Sequence, residues 1–424
     1  MNISETSLEI QREPFAKPFG FKGAAFHEKW NMVVRLRDSE ERMAYGLGGL
    51  AVLWSDGRIF ASHTEVGGNL LQASILEYAL QLVKDREFAG PMDLLNEILS
   101  SVHAYAKQVT GLADLNLTFT LIALVALDNA VWMLQARQTD TTSFYALLPE
   151  TYRCHLADRQ SKLAAVPAIG YNMSSTEVTS LLDAGVYVLK VKIGQPGDEG
   201  EMVRADMDRL CKVHEIAERY ETVGTESGQI AYYLDANGRY GSRDALERLL
   251  AYAGKRGILE RIIVIEEPFN DPDSTDVLGL PALFAADESL GDVSDVAVRV
   301  NQGYRAITIK PAGKTLSKSL EMIESAIGNG AVPFVADNAC VPILVEWNKN
   351  VAARLPSFPG LVGGMLESNG PENYGAWRQM ISAYPVGNAT WLNPEDGEYN
   401  LDASYYHHSG GIFRDPVPYS DLLR

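Results

Sequence analysis

The chain has 424 residues, 46% of them apolar and 22% charged, a balance that suits a globular protein with a large buried core. A formal net charge of −18 argues against nucleic acid or an anionic membrane surface as partner. Cys154, Cys211 and Cys340 form no CxxC pair, and the N-terminal text lacks a signal-peptide layout, so a reducing, cytoplasmic location is expected.

Residues 1 to about 30 read as irregular, with Phe15, Phe19, Phe21, Phe26 and Trp30 set among Lys17, Lys22 and His27. Such a segment is either a loop pinned to the core by its rings or a mobile flap over a pocket. Asn31–Arg37, Tyr45–Trp54 and Arg58–Thr64 read as an antiparallel meander, followed by helical patterns at about 69–84, 92–109 and 118–137. Strands first and helices after predict an α+β domain over residues 1–160. Leu115–Leu134 is long enough to span a membrane, but Asp128 and Asn129 interrupt it, so a buried helix is expected. Gly46 and Gly48 lie within a strand-like run, which makes a dinucleotide fingerprint improbable there.

From Pro167 the rhythm changes. Short apolar runs, each followed by an amphipathic stretch, recur from Ala168–Tyr171 to Leu361–Met365. They predict an α/β fold, a (β/α)8 barrel over residues 161–367, with residues 368–424 packing back on the first domain and completing it. Functional groups of such a barrel sit at the C-terminal strand ends. The second strand ends in Lys190 and Lys192, which share a face because strand side chains alternate. The third ends in Asp235 and Asn237, the fourth in Glu266 and Glu267, the fifth in Asp287 and Glu288. The sixth ends in Lys310, the seventh in Asp337 and Asn338, and the eighth runs into Glu367.

A lone Lys-x-Lys is usually a solvated pair, and strand-end salt bridges are the bland account of the whole set. Three consecutive carboxylate ends bracketed by lysines are not expected from solubility, because buried acids need a compensating cation. Oxygen ligands without Cys or His point to Mg2+, or Mn2+, held by Asp235, Glu266 and Asp287. A dication and a second ammonium would lower the pKa of a lysine toward that of a general base. Lys192 and Lys310 would then flank the α-carbon of a carboxylate substrate, and the metal would stabilise the resulting enediolate. Gly313-Lys314-Thr315 is not a phosphate loop, since position 308 is Thr.

The motifs KVK, LDANG, IEEPF, ADES and TIKP, in this order, resemble the enolase superfamily, and more closely its muconate-lactonizing branch. The resemblance covers nearly the whole chain. It implies a capping domain with a closing flap, including Phe21 and Lys22, on a barrel. It also implies Asp235, Glu266 and Asp287 as metal ligands, Lys192 and Lys310 as bases, Lys190 and Asn237 as supporting residues, and a homo-oligomer. The Asp-x-Asp by which dipeptide epimerases hold an amino group is absent from strand eight. A Mg2+-dependent racemase or epimerase is expected. A lyase on the same scaffold, with the second lysine or Asp337 assisting the leaving group, and a non-catalytic binding protein are the rivals.

Overall fold

The computed structural model describes residues 1–21 and 24–423. Ile3–Phe21 (β1) and Ala24–Asp38 (β2) form a long antiparallel hairpin, and Met43–Gly49 (β3) pairs with β2. This corrects the expected irregular segment over residues 1–30. Pro14 and Pro18 disguised the strand: neither has an N–H for the ladder, and the β1–β2 register shifts between Pro14 and Phe19.

A short helix, α1 (Val52–Ser55), leads into α2 (Gly57–Val83), α3 (Pro91–Thr110) and α4 (Leu117–Gln138). The strand expected at Arg58–Thr64 is therefore a helix. Asp56 starts it by accepting the Arg58 N–H, and the backbone kinks at Thr64, where φ is 63°. By length and composition α4 could cross a membrane, yet 94% of its most apolar window is buried inside the structure. It lies against β3, where a Cβ on Gly46 would sit 2.0 Å from the Ala126 carbonyl oxygen. The glycines there serve close packing rather than a nucleotide.

The second sheet is the barrel. Its parallel strands are β4 (Lys162–Val166), β5 (Ala168–Ile169), β6 (Val188–Lys192), β7 (Ala231–Asp235), β8 (Ile262–Glu266), β9 (Phe284–Ala286), β10 (Ala306–Ile309), β11 (Val332–Val335) and β12 (Gly364–Glu367). Pro167 splits the first barrel strand in two. Its β4 half pairs with β12 and its β5 half with β6, and this closes the ring. The eighth strand begins later than expected, so Glu367 is part of it.

The segment after Glu367 touches both sheets rather than the N-terminal one alone. Its strand β13 (Glu398–Asn400) pairs antiparallel with β4, and Glu398 accepts from Lys162 at 2.5 Å and Tyr187 at 3.0 Å. Farther on, the Leu423 carbonyl accepts from Arg35 of β2.

Candidate active site

Strand register sets the site. Lys192 stands opposite Asp235, Asp235 opposite Glu266, and Glu266 opposite Ala285, so Asp287, two residues on, faces the same way. The buried Lys190 ammonium lies 3.0 Å from Asp235 Oδ2, 2.7 Å from Glu266 Oε2 and 2.9 Å from Glu367 Oε2. Lys192 Nζ donates to Asp235 Oδ2 at 2.6 Å and Asn237 Oδ1 at 2.9 Å. Across the barrel mouth, Lys310 Nζ donates to Asp287 Oδ2 at 2.5 Å. One layer deeper, Tyr233 OH donates to Glu266 Oε2 at 2.5 Å and Thr308 Oγ1 to Glu266 Oε1 at 3.3 Å.

The other expected residues divide. Glu267 accepts the Asp287 N–H at 2.7 Å and the Ser289 hydroxyl at 3.0 Å, so it braces the fifth strand end. Glu288 accepts from Asn237 Nδ2 at 3.2 Å. Asp337 lines the cavity, yet its oxygens accept the backbone N–H groups of Ala339, Cys340 and Asn369. The Asn338 carbonyl accepts from Lys29 Nζ at 2.5 Å. Lys22 and the Phe21 side chain lie outside the described residues.

Charge couples the site. Burial alone would push Lys190 down, but Asp235, Glu266 and Glu367 outweigh it and hold the ammonium well above the usual lysine range. For Lys310, too, Asp287 and Glu266 outweigh burial. The lysine lowering expected from the sequence rests on the charge of a bound dication. Burial and the negative charge of Asp235 raise Glu266 instead. Burial likewise raises Asp287, but Lys310 and Lys314 overcome it and hold that carboxyl low.

Among the described residues, no three His, Cys, Asp or Glu groups converge as a metal cage; each acid is drawn to an ammonium instead. The donor set nevertheless fits a hard dication. It is all oxygen, Asp287 Oδ1 is buried without a hydrogen-bond partner, and Asp235 and Asp287 both act on Glu266 as like charges.

Three residues that shape the site were missed from sequence. Lys314 is fully buried, with Nζ 2.8 Å from the Asp287 carbonyl oxygen. The signal was its spacing of four from Lys310, one helical turn, which returns it to the same side. Lys29, buried in β2, is pushed down to about 8 by desolvation. Trp54 of α1 lines the cavity beside Phe19, Phe26, Leu53 and Phe60. Nothing local marks a tryptophan in an apolar run as part of a site.

The architecture is an α/β barrel with an N-terminal α+β cap, the fold of the enolase superfamily. A dipeptide epimerase from Enterococcus faecalis V583, solved with Mg and the dipeptide L-Leu-L-Tyr, matches at 17% identity and a TM-score of 0.62, covering 87% of this chain and 90% of that one. A mandelate racemase/muconate lactonizing enzyme from Roseiflexus sp. matches at 17% identity and 0.63, covering 88% and 90%. An unknown member of the enolase superfamily from E. faecalis V583 matches at 17% and 0.62, covering 94% and 92%. No protein-family model matches the chain, and no curated protein matches it in sequence. At these identities the likeness establishes the fold.

Proposed function

We propose that this protein is a divalent-metal-dependent isomerase that removes and returns the α-proton of a small carboxylate substrate. The observation that carries the reading is the placement of two amines. Lys192, from the second barrel strand, and Lys310, from the sixth, each sit on a different acid of the same set, Asp235 and Asp287, with Glu266 between. Two bases on opposite sides of one carbon are what a 1,1-proton transfer needs: one takes the proton and the other delivers a proton to the far face.

Asp235, Glu266 and Asp287 would hold Mg2+. When bound, such a cation supplies positive charge that offsets the charge developing on the substrate and disfavours protonated neighbouring amines. The epimerase solved with Mg and a dipeptide shares the fold, which supports the choice of ion and the size of substrate. Lys190 stands beside Glu266 and Glu367, where it keeps a positive charge near the substrate carboxylate. Tyr233 and Thr308 fix the Glu266 carboxylate from beneath. Asp337 accepts backbone N–H groups, which fix its carboxyl at the cavity wall.

The test is a screen of chiral carboxylic acids in D2O with Mg2+, read by proton NMR. Loss of the α-proton signal without loss of the acid is the expected result. Release of water or formation of a keto acid would move the assignment to a lyase. Failure to bind Mg2+ would remove the enzyme reading altogether.

A further inference from the structure

Trp54 lies outside the barrel sequence, on the four-residue helix α1 of the cap, yet its indole reaches the sixth strand end. The ring centroid is 4.5 Å from Lys310 Nζ and 5.6 Å from Lys314 Nζ. The indole N–H donates to Asp287 Oδ2 at 3.3 Å, the same oxygen that accepts from Lys310 at 2.5 Å. Room for the ring comes from Gly313, where a Cβ would meet the indole edge at 3.2 Å. On the second strand, Lys192 donates to Asp235 and Asn237 of the barrel.

We infer that Trp54 is a positioning residue for Lys310, through which the cap fixes the base on one face of the substrate. This rests on the two-base reading above. An ammonium facing an aromatic ring is attracted by the ring quadrupole, and a ring so placed also bars the amine from swinging toward solvent. The indole N–H adds a second hold on the carboxylate oxygen that anchors the amine. Lys310 is thereby tied to the cap through Trp54.

The first test needs no substrate. Reductive methylation of the folded protein with formaldehyde and a borane, mapped by mass spectrometry, gives the labelling ratio of Lys310 to Lys192. Trp54→Leu is expected to raise that ratio at least fivefold. Trp54→Phe, which keeps a ring and loses the N–H, is expected to raise it less. A ratio within twofold of the wild type in both folded variants would overturn the inference, whatever the enzyme's substrate.

The second test uses both enantiomers of an acid found to exchange in D2O. Trp54→Leu is expected to shift the ratio of their exchange rates tenfold or more, because each enantiomer is deprotonated by a different lysine. An equal loss for both enantiomers would show a merely structural role and sink the inference. Exchange of only one enantiomer by the wild type would remove the two-base reading itself, a result that the labelling ratio cannot mimic.

Discussion

Lys192 and Lys310 make the same kind of contact, an ammonium on one oxygen of a buried aspartate, at 2.6 Å and 2.5 Å. Removing either amine should end α-proton exchange while leaving the acids in place. We expect Lys192→Ala and Lys310→Ala each to lower exchange by on the order of 10³-fold, with Mg2+ affinity from calorimetry within a few-fold of wild type. Full activity in Lys310→Ala would end the two-base scheme. Asp235→Asn removes a ligand charge and should weaken Mg2+ binding by about tenfold or more; unchanged affinity would move the metal elsewhere. These positions were legible in the sequence because strand alternation is a local rule: Lys190 and Lys192 share a face whatever surrounds them. The contacts of Trp54 were not legible, because its partners Asp287 and Lys310 are more than two hundred residues away.

At the scale of elements, α4 docks the cap on the barrel through Asp128. Its carboxylate accepts the N–H groups of Leu316 and Ser317 and the Ser317 hydroxyl, at the start of the helix Leu316–Gly328, and Trp132 donates to the same hydroxyl. Asp128→Ala would strand those donors and should cost on the order of 3 kcal/mol in urea unfolding. Burial raises the Asp128 pKa to about 6, the hydrogen bonds opposing it without cancelling it. A raised acid favours folding when protonated. Its contribution is therefore full below about pH 4 and lost as pH rises through 6, up to about 3 kcal/mol. Asp128→Asn should flatten the stability profile over that window; an unaltered slope would assign the pH dependence to other groups. The sequence marked Asp128 and Asn129 only as interruptions of an apolar run. The same locality explains the error over β1: a pattern broken by Pro14 and Pro18 loses its period, and only pairing with β2 restores it.

Across the whole molecule, cap, barrel and tail share one continuous core, and polar ties cross each junction: Lys29 to Asn338 and Asp128 to Ser317, Arg35 to Leu423, and Lys162 to Glu398. Calorimetry should accordingly show one cooperative transition, with an enthalpy of about 300 kcal/mol near 60 °C for a chain of this length. Two separated transitions would mean that the cap folds independently and would weaken any coupling of Trp54 to the barrel. By itself the sequence determined the barrel, because its alternation of short apolar and amphipathic runs admits few topologies, and it determined which charges end which strands. Tertiary structure decided what those charges touch. Lys190 among Asp235, Glu266 and Glu367, Lys314 under Asp287, and an indole from the cap over Lys310 all depend on the closing of the ring and the angle at which the cap meets it. Periodicity within one strand carries no information about either.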